Sequence, residues 1–168
     1  MKNIVLIGIM GCGKTTIAAL LAKKLKRPVI DIDEYIVEKH QQTIPEMFKI
    51  GETYFRENET DGCKDIAKLE GYIISTGGGV VLNPLNIQYL KENGVIVYID
   101  RPIDDICKDV ETSTRPLLKD GPQKLYDLNK QRYQLYLDAC DIHFINDDTL
   151  ENVTCLLYTL TLPTKRIV

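Results

Sequence analysis

Short apolar runs rich in β-branched residues recur along the chain: IVLI (4–7), VIDI (29–32), YIIS (72–75), VIVYI (95–99) and IHFI (142–145). They are continuous rather than alternating, as strands of a parallel sheet covered on both faces must be. Between them the apolar positions take helical spacing. Ile17, Leu20, Leu21 and Leu25 share one face of a predicted helix over 14–26, and Leu150, Val153, Leu157 and Leu160 share one face of another over 149–160. This alternation predicts an α/β three-layer sandwich with right-handed crossovers. Ligands in such sheets collect at the carboxyl ends of the strands. Two stretches break the rhythm. Residues 34–70 form a long helical excursion punctuated by Pro45 and Gly51, which reads as a substrate-binding insertion. Residues 111–122, ETSTRPLLKDGP, are polar, end in Gly-Pro and interrupt two helices, as a lid would.

Composition narrows the class without changing the architecture. A chain of 168 residues suffices for one domain, 1–168, with a full core and no disulfide or structural metal. The net charge of -3, with no basic arm or stripe, argues against nucleic acid as a partner. The 5 cysteines are odd in number and scattered, without CxxC or His-rich spacing, which suits free thiols in a reducing compartment. No signal-peptide pattern opens the chain and no apolar stretch approaches the roughly 18 residues of a membrane span. The expectation is a cytoplasmic enzyme.

The first strand runs into Gly8-x4-Gly13-Lys14-Thr15, a full phosphate-loop pattern. Gly8, Gly11 and Gly13 let the backbone wrap the phosphates, Lys14 reaches the β- and γ-phosphates, and the Thr15 hydroxyl ligates Mg²⁺. A helix N-terminus directly after the loop favours anions. The expected ATP-binding residues are therefore Gly11, Cys12, Gly13, Lys14, Thr15 and Thr16. Nothing resembles a GTPase: there is no DxxG, and Asn129-Lys130-Gln131-Arg132 lacks the aspartate of NKxD. The third strand ends Ile74-Ser75-Thr76, without an acidic residue at its tip. The second carries Asp31-Ile32-Asp33 instead. Read as alternate residues of one strand, both carboxylates point the same way, one over Mg²⁺ through water and the other towards an acceptor hydroxyl.

Three features call for a second anion. Gly77-Gly78-Gly79 allows close backbone approach with exposed N–H groups. Arg56 precedes Glu59 by three residues, a spacing that can hold the guanidinium in place. Arg132 falls on a helical stripe with Leu125, Leu128, Leu135 and Ala139, where an arginine either snorkels to the surface or points at an anion. Two arginines and a glycine strip suit a carboxylate.

The set GIMGCGKT, DID, FRENE, TGGG, TRPLL and RYQLY, in this order and spacing, resembles the shikimate kinases over nearly the whole chain. The resemblance implies ATP-dependent phosphorylation of the 3-hydroxyl of shikimate, on the way to chorismate and the aromatic amino acids. It implies a P-loop kinase fold of the nucleoside-monophosphate-kinase type, with a five-stranded parallel sheet in the order 2-3-1-4-5. It also implies roles: Asp33 as the candidate base, and Asp31 supporting Mg²⁺ through water. Arg56, Arg132 and the Gly77, Gly78 and Gly79 amides would hold shikimate, and Arg115 would close over ATP. Ile44, Phe48, Phe55, Pro116 and Leu117 would line the ring pocket. A monomer is expected. The chain departs from the family in two places. Asp109-Val110-Glu111-Thr112 stands where many members carry a further basic residue, which shifts reliance to Arg115. Cys12 stands where small or hydroxyl residues are usual; it is either an inert side chain or a thiol activated by the loop amides. Two rival readings remain at this level: another small-molecule kinase of the same fold, such as a gluconate or nucleotide kinase, and a non-catalytic nucleotide-sensing module.

Overall fold

The computed structural model describes residues 1–112 and 121–161, with the side chains of 110–112, 156 and 159–161 left out. Among the described residues the chain forms β1 (Asn3–Ile7), α1 (Lys14–Leu25), β2 (Val29–Asp31), α2 (Ile32–His40), α3 (Ile44–Ile50) and α4 (Glu52–Ile66). There follow β3 (Ile73–Ser75), a 3₁₀ turn (Val80–Leu82), α5 (Pro84–Glu92), β4 (Gly94–Asp100), α6 (Ile103–Thr112), α7 (Pro122–Ala139), β5 (Ile142–Ile145) and α8 (Leu150–Thr161).

The sheet has the order β2-β3-β1-β4-β5, and every pairing is parallel. The central strands read as the apolar runs predict: β1 and β3 are buried throughout and β4 nearly so. The edge strands do not, since β2 and β5 each have one uncovered side and expose Val29 and Ile145. Their β-branched residues serve pairing more than burial. Within the excursion over 34–70, Thr43 and Glu46 form a reciprocal capping box with Pro45 in the first turn of α3. Gly51 then separates α3 from α4. No helix among the described residues is long and apolar enough to cross a membrane.

Several sequence expectations need correction. The second strand stops at Asp31 rather than 32. Its carboxylate accepts hydrogen bonds from the amides of Asp33 (2.9 Å) and Glu34 (3.2 Å) and so caps α2. Capping turns the chain into helix, and Asp33 lies in the first turn of α2, not on a strand. On α7 the inward stripe is Leu125, Leu128, Arg132, Tyr136 and Ala139, while Leu135 is exposed. The 3.6-residue period steps from 132 to 136 and carries 135 off the face. On α8, Val153 and Leu157 are buried but Leu150 is exposed, and the side chain of Leu160 is outside the described set. On α1 Leu20 is only half-buried; Ile17, Ala18 and Leu21 form the buried face.

Candidate active site

β1 delivers the loop over 8–13 at its carboxyl end, and α1 leaves from it. Gly13, with φ 101°, turns the chain in the left-handed region directly before Lys14. Lys14 is buried, and its ammonium donates to the carbonyls of Gly8 (2.6 Å) and Ile9 (3.1 Å). The thiol of Cys12 has no exposed surface and lies 3.6 Å from the Lys14 Nζ. Cys12 therefore meets a ligand through its backbone alone. Its carbonyl accepts from Asn146 Nδ2 at 2.9 Å. Arg101 Nη1 donates to the Gly11 carbonyl at 3.1 Å, and its Nη2 pairs with Asp109 at 2.6 Å. The loop is thus held from both sides by residues far away in sequence.

A cavity of about 890 Å³ opens over this loop and takes in Gly11 through Thr16. The sheet order places Asp31, Asp33, Gly77 and Gly78 on its β2–β3 side, and Arg101, Asp105, Asp147 and Asp148 on its β4–β5 side. Thr15 and Asp31 both border it. One oxygen of Asp31 is engaged by the α2 amides, and among the described residues no cluster of three acidic, His or Cys groups could hold a metal by itself. One hydroxyl and one carboxylate beside a phosphate loop fit Mg²⁺, which binds through few protein ligands, water and substrate phosphates.

On the β2–β3 side the groups are charged and close-packed. Both carboxylate oxygens of Asp33 lie 3.0 Å from where a Cβ on Gly77 would sit, so a side chain there would push the carboxylate aside. Asp33 Oδ1 is buried without a hydrogen-bond partner. Burial, and then the neighbouring carboxylates of Asp31 and Glu59, push the Asp33 pKa up to about 6, against the opposing pull of Lys14 and Arg56. Arg56 pairs with the buried Glu59 at 2.9 Å, the contact its three-residue spacing predicts, and approaches Glu52 at 3.7 Å. Burial raises the Glu59 pKa, while Arg56 and Arg132 pull it down. The Arg56 guanidinium also lies 5.1 Å from the ring centre of Phe55, which stacks on Phe48 at 4.5 Å. A Cβ on Gly79 would collide with the Arg56 guanidinium, and one on Gly78 would sit 3.6 Å from Arg132 Nη1. The glycine strip therefore joins the three residues: Asp33 at Gly77, Arg132 at Gly78, Arg56 at Gly79. Ile44 is partly buried against the hydrophobic core. Arg115, Pro116 and Leu117, and with them most of the expected lid, lie outside the described residues.

Arg101, Ile106, Tyr136 and Thr76 carry no role in the sequence expectations, and neither does the contact of Asn146 with the loop. Ile106 packs against Gly11, Tyr136 donates to the Gly78 carbonyl at 2.5 Å, and Thr76 donates to the Leu6 carbonyl at 2.9 Å. A positional signal was present for three of the five. Thr76, Arg101 and Asn146 each stand immediately past the carboxyl end of β3, β4 or β5, where ligands gather in this architecture.

The shikimate kinase family model matches residues 10–160. A shikimate kinase of Clostridium botulinum (strain Alaska E43 / Type E3) is 47% identical over 154 residues, covering 91% of this chain and 93% of the relative. Among solved structures, shikimate kinase from Acinetobacter baumannii in complex with shikimate superposes with a TM-score of 0.84 at 32% identity, covering 97% of this chain and 96% of that one. Shikimate kinase from Bacteroides thetaiotaomicron superposes with a TM-score of 0.86 at 29% identity, covering 95% and 97%.

Proposed function

The chain belongs to the shikimate kinase family, and we propose that it transfers the γ-phosphoryl group of ATP across the Gly77–Gly79 strip with Asp33 as the proton acceptor. As a member it is an ATP:shikimate phosphotransferase that makes shikimate 3-phosphate for chorismate and aromatic amino-acid synthesis. The observation that carries the mechanism is the buried, unpartnered Asp33 Oδ1 facing the strip beside the phosphate loop.

The loop amides and Lys14 hold the polyphosphate, and Lys14 exchanges its carbonyl partners for phosphate oxygens. Arg56 and Arg132 hold the shikimate carboxylate and ring hydroxyls together with the glycine amides; Phe48, Phe55 and Ile44 bound the ring. The 3-hydroxyl oxygen bonds to the γ-phosphorus while the bond to the ADP oxygen breaks, and the hydroxyl proton passes to Asp33. A base with a pKa about 6 is largely ionised at neutral pH yet accepts a proton more readily than an ordinary aspartate. Phosphoryl transfer asks mainly for alignment and charge neutralisation, so orientation of the hydroxyl is the larger part of this role. Mg²⁺, held through Thr15 and by Asp31 through water, neutralises phosphate charge when bound. Arg115, on the segment over 111–122, closes over ATP and stabilises the transferring group. We propose a cytoplasmic monomer, which cell fractionation and sedimentation would test.

A coupled ADP-release assay with shikimate, gluconate and nucleoside monophosphates tests the reading. Shikimate-dependent turnover is expected; preference for another acceptor, or no acceptor-dependent turnover, would overturn it.

A further inference from the structure

Behind the glycine strip stands a side chain that the transfer itself does not use. Tyr136, one turn past Arg132 on α7, has no exposed surface. Its phenol donates to the Gly78 carbonyl. Burial pushes its pKa up to about 12 despite the opposing pull of Arg132, so at neutral pH it remains protonated and able to donate. A trans peptide is planar, with its C=O and N–H directed oppositely. Anchoring the Gly78 carbonyl on Tyr136 therefore directs the Gly79 N–H away from α7. The flanking peptides are tied down, the Gly77 carbonyl accepting from the Val80 amide at 3.2 Å and the Gly79 carbonyl from the Leu82 amide at 3.0 Å. Tyr136 supplies the hydrogen bond of the plane between them, where neither glycine has a Cβ to limit φ and ψ.

The ring that holds the plane is itself held. It stacks on Tyr98 with centres 5.0 Å apart, and Tyr98 stacks on His143 at 5.2 Å and 9°. Tyr98 and His143 are register partners on β4 and β5. Past them, Asp100 meets His143 Nε2 at 2.7 Å and accepts from the Tyr133 hydroxyl at 3.2 Å. Three rings and a carboxylate thus brace the Tyr136 phenol from the sheet edge inward.

We propose that Tyr136 is a positioning residue for the acceptor, orienting the Gly78–Gly79 peptide so that its N–H is presented to shikimate alongside Arg132. This rests on the assignment of Arg132 and the glycine strip to the acceptor side.

Tyr136→Phe keeps the ring and its stack and removes only the hydroxyl. The expected result is a rise of about tenfold in KM for shikimate, with KM for ATP within about twofold of the parent. Tyr133→Phe, which alters only the outer end of the brace, is expected to leave both values unchanged. Tyr136→Phe with an unchanged shikimate KM, or with both KM values rising together, would overturn the proposal. Arg132→Lys measured alongside separates the two layers. If it raises the shikimate KM and Tyr136→Phe does not, the positioning role alone fails; if neither does, the acceptor assignment fails as well. A second readout needs no variant: in glycine-labelled parent protein, the Gly79 amide resonance is expected to shift on saturation with shikimate, and an unmoved resonance would overturn the proposal.

Discussion

The two sides of the cleft settle their polar groups in different ways. On the nucleotide side the functional groups already have partners within the chain: Lys14 on two carbonyls, Cys12 on Asn146, Gly11 on Arg101. On the acceptor side Asp33 Oδ1, Arg56 Nε and Arg132 Nε are buried without hydrogen bonds. Phosphates are gripped largely by backbone amides, which a strand–loop–helix turn presents in any case. A small carboxylate with ring hydroxyls has to be met by side chains, and polar atoms aimed at a ligand are not used up by partners within the chain. Polar atoms buried without a partner in the chain cost stability, a cost that function can demand. The acceptor side is therefore where activity and stability should pull apart, and the nucleotide side is where they should move together.

The sharpest test of that contrast is Asp33→Asn. Loss of the proton acceptor is expected to lower kcat by roughly 10²–10⁴-fold in the steady-state ADP assay. The same change should raise Tm. An aspartate whose folded pKa is raised from 3.8 to about 6 binds its proton more tightly folded than unfolded. Its contribution to stability is present below about pH 4 and declines as pH climbs through 6. Thermal melts should show the variant more stable than the parent above pH 6 and equal to it near pH 4; a lower Tm at pH 7 would contradict the contrast. Arg115→Ala follows, expected to cut turnover at least tenfold because no further basic residue stands over 109–112. Unchanged turnover would remove Arg115 from the mechanism. Gly79→Ala drives a methyl into the Arg56 guanidinium, and about a tenfold rise in KM for shikimate is expected with little change in KM for ATP. Asn146→Ala should have the smallest effect. Removing one hydrogen bond to the loop, worth about 1 kcal/mol, is expected to raise KM for ATP several-fold and to lower Tm together with it. The parent's kcat/KM for shikimate should also fall on the acid side with a midpoint near pH 6.

What the sequence revealed divides along the same line. The phosphate loop, the strand order implied by the family resemblance and the Arg56–Glu59 pair were legible because each rests on local spacing or on a motif of several residues. The backbone at Asp33 departs from the strand reading for a local reason: Asp31 caps a helix, and capping competes with strand extension there, although both residues still border the one cavity. Contacts such as Asn146 with Cys12 and Tyr136 with Gly78 span 134 and 58 residues. No periodicity encodes them; they exist only once the parallel crossovers have brought the strand ends together. Arg101 was invisible for the same reason, and with Asp109 it anchors α6 to the loop from a position that no motif marks.

The buried thiol of Cys12 bears on reagent design. An electrophile carried on a nucleotide-site ligand would find the cysteine of the phosphate loop turned inward, with its sulfur only 2.7 Å from where a Cβ on Gly8 would sit. Acrylamide-type warheads aimed at this loop should leave it unlabelled, while the exposed Cys155 on α8 takes up the reagent. Peptide mapping would place the adduct on Cys155, which does not line the cavity, and not on Cys12, and enzyme so labelled should retain its turnover. That makes Cys155 a ready handle for a fluorophore or a surface tether, and it directs covalent inhibitor chemistry for this protein away from its most obvious nucleophile.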